Sequence, residues 1–383
     1  MIVVGGGVIG CATAAHLARS GVRVTLIESR AIGHDAGSSH GPSRIIRLTY
    51  QSADYIALAR ASFAAWAVLE RRSNAALVVP CGGLDFGPPD ANNAPEMIAA
   101  MRTCGVPFDL VDRDEIVARF PQLRPPDGAA GFYQPDYAML AADRCVAALA
   151  AVARAGGADL REGEAVRSIA PDGAGVVVTT DRGELRGDAA VVANGSWVGS
   201  LVAPLGIDLR LTVLREQLAF FEPIDPASFM PGRMPLFIQR FAGTTTLGSG
   251  FPTLGSPAGV KIMIDRLGPA VEPDDPDRTI DRALLARLER YATGTVRGLS
   301  GRVIAAVSCR YAMTPDEDFV LAPHPEHRQI VIASACSGHG FKFAPVIGEI
   351  LGDLATTGST RHPIGRFRLE RPGLERTWEN AHV

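Results

Sequence analysis

Residues 2–28 read IVVGGGVIGCATAAHLARSGVRVTLIE. The β-branched run Ile2–Val4 reads as a short strand. The glycine-rich GGGVIG at 5–10 reads as a turn, and the Ala-rich segment after it as a helix closed by Gly21. VRVTLIE then reads as a second strand ending at Glu28. Strand, turn, helix and strand in this order make a βαβ unit. Gly5-x-Gly7-x-x-Gly10 sits between its first strand and its helix. Gly5 permits the tight turn, Gly7 lets backbone approach a pyrophosphate, and Gly10 lets the helix pack on the strand. The helix N-terminus then faces the phosphates. Glu28 stands where a carboxylate accepts ribose hydroxyls and would repel a 2′-phosphate. The unit therefore reads as a dinucleotide site, with Gly5, Gly7, Val8, Ile9, Gly10, Glu28 and Ser29 as its candidate residues.

The far end of the chain has a similar design. Residues 330–355 run strand, glycine loop, helix, in IVIASACSGHGFKFAPVIGEILGDLA. Two such loops closing on one ligand favour a flavin dinucleotide held by both ends over a nicotinamide that comes and goes. Between them, 52–74 and 141–155 read as helices and 158–194 as short strands with PDG and DRG turns. FPQLRPP and GAAGFYQPDYAML read as proline-rich connections. The stretch 210–247 and the segment 259–265 are strand-rich. The predicted fold is α/β: a Rossmann-like FAD-binding domain assembled from 1–80, 140–210 and 310–383. A strand-rich α+β substrate domain fills 81–139 and 211–309.

The 383 residues carry a net charge of −3, with no concentrated basic patch to suggest a nucleic-acid partner. No uninterrupted apolar run reaches the length of a membrane span. The N-terminus has no basic leader, so a cytoplasmic protein is expected. Six cysteines show no C-x-x-C pair, and no metal site is expected: His324 and His327 look like a metal pair, but no third ligand is nearby. Cys11, Cys336, Trp66 and Trp197 read as packing residues.

Only two of the 38 basic residues are lysines, Lys261 and Lys342. Lysine is a compact charge whose pKa moves, whereas arginine is a rigid fork that stays charged. Lys261 interrupts the apolar strand VKIMI, where an inward lysine is costly unless used. Lys342 lies in the glycine loop SGHGFKF. Arg44 and Arg47, three apart in SRIIR, can face one ligand.

Several segments together resemble the FAD-dependent amine oxidases of the monomeric sarcosine oxidase and N-methyltryptophan oxidase group, in the D-amino acid oxidase superfamily. They are GGGVIG at 5–10, GSSHGPSRIIRLTY at 37–50, GFP at 250–252, Lys261, CRYAMTPDEDFVLAPHPEH at 309–327 and SGHGFKFAPVIGE at 337–349. The resemblance implies FAD joined covalently through Cys309, whose thiolate would be the nucleophile. It places Ser38, Ser39, His40 and Arg44 along the flavin, with Gly338, His339, Gly340, Phe341 and Lys342 on its other side. It assigns Arg47 and Lys342 to the substrate carboxylate. Tyr311 and Tyr50 would line the substrate cavity. It assigns Lys261 to the reaction of reduced flavin with O2, where a fixed ammonium stabilises superoxide. The implied reaction is oxidation of a secondary amine bearing a carboxylate, with O2 as acceptor and H2O2 as product, by a monomer.

Two positions leave that pattern. Asp265 stands where sarcosine-oxidising members carry a histidine, and Ser249 where they carry a tyrosine. Positions 261 and 265 share a strand face. A pocket with Ser249 and Asp265 is expected to be larger, to favour bulkier or more polar N-substituted amino acids over sarcosine, and to offer a carboxylate to a second cationic group. A cyclic imino acid is an alternative substrate. A dehydrogenase using another acceptor is an alternative class that Lys261 opposes, and a non-covalent primary-amine oxidase is one that Cys309 opposes.

Overall fold

A computed structural model describes residues 1–88, 91 and 94–376. The chain opens with β1 (Ile2–Val4), α1 (Val8–Arg19), β2 (Thr25–Glu28) and β3 (Arg44–Ile46). α2 (Ala53–Ser73), β4 (Val78–Pro80), β5 (Gly83–Gly87), α3 (Ala94–Thr103), β6 (Asp109–Asp112) and α4 (Arg113–Arg119) follow. Next come β7 (Ala130–Gln134), β8 (Ala138–Leu140), α5 (Ala142–Ala155), β9 (Asp159–Glu162), β10 (Val166–Asp172), β11 (Gly175–Thr180) and β12 (Gly183–Gly187). The second half holds β13 (Ala190–Val192), α6 (Val198–Val202), β14 (Thr212–Pro223), β15 (Leu236–Arg240), β16 (Leu247–Phe251) and β17 (Val260–Ile264). It ends with α7 (Arg282–Thr295), β18 (Leu299–Met313), β19 (Val320–Pro323), β20 (Ile330–Ser334) and α8 (Ala344–Thr357).

A six-stranded sheet runs β19-β20-β13-β1-β2-β9. Its pairings are parallel except β19 with β20. β1, β13 and β20 are buried at every residue and apolar at all but Ser334, as expected of strands covered on both faces. α1 packs against both α5 and α8 over this sheet. That close packing explains the small residues on α1 and α8: a Cβ on Gly348 would lie 2.5 Å from the Ala12 backbone.

An eight-stranded sheet runs β18-β14-β17-β16-β15-β5-β7-β6. Its strands alternate. One face contributes Leu84, Phe86, Ala219, Phe221, Phe237, Ile262 and Ile264 to a core shared with α7 residues Leu288 and Ala292. The opposite face, one residue out of phase, carries Ile238, Arg240, Ser249, Phe251, Lys261, Met263, Cys309 and Tyr311, and all of these line one cavity. This mixed architecture is the α/β class expected: a Rossmann-like sheet built from distant segments beside a strand-rich sheet.

GAAGFYQPDYAML is not a mere connection. It contains β7 and β8, paired respectively with β5 and β6, and with β3 and β4. Its single proline, Pro135, falls between the two strands and interrupts neither ladder. His324 and His327 stack at 4.9 Å in the turn after β19. His324 Nδ1 accepts the N–H groups of Glu326 and His327, so the imidazole closes the turn.

Candidate active site

The cavity has a volume of about 800 Å³ and runs from the β1–α1 turn to the inner face of the eight-stranded sheet. At its first end, Gly5 adopts φ 104°, a conformation only glycine holds readily. Glu28 Oε2 accepts the Gly6 N–H at 2.7 Å and Oε1 accepts the Arg30 N–H at 2.9 Å. Burial acts to raise the Glu28 pKa, but His34 and these two N–H groups outweigh it, and the carboxyl ends below its usual value. An ionised carboxylate therefore stands at the end of β2. Ser39 Oγ accepts the Val8 N–H at 3.1 Å, so the serine loop meets the α1 N-terminus. Ser29 beside Glu28 is exposed on its rim.

The serine loop is stitched to both sheets. Ser38 Oγ donates to the Arg310 carbonyl at 2.6 Å. Arg44 donates to the carbonyls of Ser38, His40 and Ser43 at 2.7–2.8 Å, and its guanidinium lies 5.5 Å from the Phe341 ring centre. Arg44 is thus a loop clamp as well as a cavity charge. Burial, then Arg44, lowers the His40 pKa to about 4, so its imidazole is neutral. Burial and Lys342 likewise hold His339 well below its usual value.

Arg47 is held from behind. Its Nη1 donates to the Thr49 carbonyl at 2.8 Å and to Thr49 Oγ1 at 2.7 Å, and lies 3.7 Å from Asp85 Oδ2. Thr49 Oγ1 also meets Tyr137 OH at 2.6 Å. The guanidinium carbon lies 4.8 Å from the Tyr50 ring centre. Lys342 is buried in the turn before α8, donating to the His339 carbonyl at 2.6 Å and facing the Tyr50 ring at 5.7 Å. Lys261 is buried on β17; its Nζ donates to the Ser43 carbonyl at 2.8 Å and lies 3.8 Å from the Phe251 ring centre. Burial is the main cause that pushes both lysines well below the usual pKa, with Arg44 adding for Lys261 and Arg47 for Lys342. An arriving anion restores their charge.

Cys309 lies on β18 inside the cavity, 5% exposed. Burial pushes its thiol up to about 12, while Arg44 and Lys261 pull it down. Glu216, its cross-strand partner on β14, is fully buried; burial and then the Asp265 charge raise its carboxyl to about 8. Tyr311, two residues on, donates to Met263 Sδ at 3.4 Å. Ser249 and Asp265 both line the cavity. Asp265 Oδ1 accepts the Leu247 N–H at 2.6 Å, and Oδ2 lies 3.7 Å from Arg266 Nε. A cation of the chain itself, Arg266, therefore stands beside it.

The structure thus brings the candidate residues to one cavity, including Gly338, Gly340 and Phe341, with the exception of Gly10, which packs behind the turn against the Gly5 carbonyl. Two packing assignments need correction. Trp66 is a core residue, fully buried, but Trp197 is half-buried on the cavity wall and donates to Asp274 at 2.6 Å. Cys336 is also half-buried on that wall, because the chain leaves β20 two residues earlier and turns outward. Sequence reasoning missed Arg240 and its partner Asp85. The signal was present: an arginine at an inward position of the apolar strand LFIQR is as costly as the lysine in VKIMI.

A flavin dinucleotide fits this cavity on the protein's own terms. The glycine turn, the helix N-terminus and the ionised Glu28 supply a ribose–pyrophosphate cradle. Buried polar atoms without partners line its length: His40 Nε2, Tyr50 OH, Asn194 Oδ1, Ser196 Oγ and His339 Nδ1. Such atoms are costly unless a ligand or water meets them.

Comparison with known proteins agrees. The monomeric sarcosine oxidase of Streptomyces avermitilis is 33% identical over 377 residues, 97% of each chain. The peroxisomal sarcosine oxidase of Homo sapiens is 31% identical over 374 residues, covering 97% of this chain and 95% of that one. The solved structure of NikD, an unusual amino acid oxidase essential for nikkomycin biosynthesis, superposes with a TM-score of 0.86 at 29% identity, covering 96% of each chain. The family model for FAD dependent oxidoreductases matches residues 1–354, and the chain belongs to that family, close to its monomeric sarcosine oxidase and N-methyltryptophan oxidase members.

Proposed function

We propose that the protein is an FAD-dependent oxidase of secondary amines that carry a carboxylate, and that sarcosine is one of its poorer substrates. The observation that carries this reading is the meeting of Arg47, Lys342, Lys261 and Cys309 in one cavity, with Lys342, Lys261 and Cys309 buried. FAD, when bound, supplies the electron acceptor for the C–H bond next to the amine nitrogen. Gly5, Gly7, Val8, Ile9, Gly10 and Glu28 would hold its nucleotide end. Ser38, Ser39, His40 and residues 338–342 would flank its ring, with Cys309 in reach of covalent attachment.

The chain's own groups bind and orient. Arg47, fixed by Thr49 and Asp85, and Lys342 receive the substrate carboxylate. The surrounding cations lower the amine pKa, so the nitrogen presents its lone pair without a dedicated base. Lys261 holds a positive charge where oxygen is reduced. For an N-alkyl substrate, the amine, O2 and water become the dealkylated amine, an aldehyde and H2O2; a cyclic amine gives the imine and H2O2. Ser249 and Asp265 on the sheet face leave room for larger substituents than an N-methyl glycine has.

A panel of sarcosine, N-methyl amino acids, L-proline and L-pipecolate, read by peroxide release and by anaerobic flavin bleaching, tests the reading. A larger amine is expected to exceed sarcosine in kcat/KM. Bleaching without peroxide in air would point to another acceptor, and sarcosine winning widely would reject the enlarged pocket. Covalent attachment has its own test. Acid precipitation is expected to leave the yellow colour and the FAD mass on the wild-type polypeptide, and Cys309→Ser is expected to release both into the supernatant. Complete release from wild type would exclude the thioether.

A further inference from the structure

β15 turns Ile238 and Arg240 toward the cavity while Phe237 faces the α7 core. Arg240 is 8% exposed and its partner Asp85, on the neighbouring β5, is 1% exposed. Arg240 Nε meets Asp85 Oδ1 at 2.6 Å and Nη2 meets Oδ2 at 2.9 Å, a two-point fork that fixes the guanidinium plane. Nη2 also contacts Met97 Sδ at 2.9 Å. Among the described residues, Arg240 Nη1 has no hydrogen-bond partner. The same Asp85 Oδ2 lies 3.7 Å from Arg47 Nη1. One buried carboxylate therefore serves two cavity-lining arginines.

A buried ion pair is weak support for a fold, since an apolar pair of similar volume commonly does as well. Here the cost is larger, because two guanidiniums share one carboxylate and an excess positive charge remains among buried groups. Lys342 adds a second when an anion is near. One substrate carboxylate on Arg47 and Lys342 leaves one of these charges without a partner. Beside Asp265, Arg266 is bound to Glu317 at 2.8 Å. Arg240 on β15, with an N–H group left over from its fork, is placed to meet the second anion.

We propose that Arg240 is a specificity-determining residue that binds a second carboxylate of the substrate. The preferred amines are then secondary amines bearing two carboxylates, such as N-alkyl acidic amino acids. Asp85 is the positioning residue for both arginines. This inference rests on the amine oxidase reading and narrows its substrate class.

The test uses the FAD-loaded enzyme. Flavin absorbance is titrated with methylthioacetate and with thiodiglycolate, unreactive thioethers carrying one and two carboxylates. Turnover is compared for N-methyl-L-glutamate, N-methyl-L-glutamine and N-methyl-L-lysine. Wild type is expected to favour the dicarboxylate of each set by roughly tenfold or more. Arg240→Gln is expected to erase that ratio. If the single variant misfolds, the Asp85→Leu/Arg240→Met double variant, which removes both charges, is expected to erase it as well. Equal use of mono- and dicarboxylates by wild type, equal losses on both in Arg240→Gln, or N-methyl-L-lysine as best substrate would each overturn the proposal. Dicarboxylate preference in binding with no amine bleaching the flavin would leave the Arg240 site standing and sink the amine oxidase reading instead.

Discussion

Replacing Lys261 by methionine is expected to slow the oxidative half-reaction by about 100-fold or more, while anaerobic bleaching of the flavin by the best amine stays within a few-fold of wild type. Lys261 is the only lysine on the sheet that roofs the cavity. Its Nζ is fixed by the Ser43 carbonyl at 2.8 Å and backed by the Phe251 ring, so its charge is preorganised and costs no reorientation during the reaction. Lys261→Arg keeps a charge but not a compact one, because the guanidinium cannot occupy the space of an ammonium held 3.8 Å from a ring centre. It is expected to fall near the methionine variant rather than near wild type. The pH dependence separates the two further. Burial and Arg44 hold the lysine pKa well below its usual value, so the charged fraction declines as pH rises through that lowered value. The wild-type oxygen rate should fall with rising pH, and the arginine variant, which does not titrate, should lose that slope. Stopped-flow mixing of the reduced enzyme with oxygenated buffer reads both effects. Unchanged reoxidation in Lys261→Met would remove Lys261 from the oxygen chemistry.

Gly10→Ala is expected to yield folded protein with little or no FAD. A Cβ at residue 10 would lie 1.8 Å from the Gly5 carbonyl oxygen and 3.0 Å from its carbon. Both atoms are backbone, so no side-chain rotation relieves the overlap. α1 must lift from β1, and its N-terminal N–H groups lose their aim at the pyrophosphate. Overpacking of this kind costs about 1–3 kcal/mol, which corresponds to a roughly five- to 150-fold loss of affinity. The FAD-to-protein absorbance ratio after purification and circular dichroism of the same sample check the two halves of the expectation. Full FAD content in the alanine variant would place the dinucleotide elsewhere.

The parts of this protein that could be read from the chain are those whose physics is local. The Gly5–Gly10 turn, the strand before it and Glu28 lie within 27 consecutive residues and announce one βαβ unit. Lys261 stood out because an ammonium in an apolar strand is costly wherever that strand packs. The pairing of β7 with β5 and β6 was not legible, because proline and glycine around Gly131 and Pro135 look like loop chemistry until a neighbouring ladder is present. The surroundings of Asp265 were equally hidden. In the sequence it is a carboxylate open to a substrate cation; in the fold it accepts the Leu247 N–H and faces Arg266.

The chain by itself determined the nucleotide fold, since spacing within a strand, turn or helix is set by covalent neighbours; it singled out the two lysines as candidate positions, and the resemblance of several segments pointed to the flavin family. Tertiary structure alone decided which charges meet in the cavity. Asp85 and Arg240 lie 155 residues apart and meet because β5 pairs with β15, and the same Asp85 lies 3.7 Å from Arg47. Buried electrostatics depends on distances between groups that the covalent order does not constrain, so the specificity of this cavity becomes readable only once the sheet is assembled.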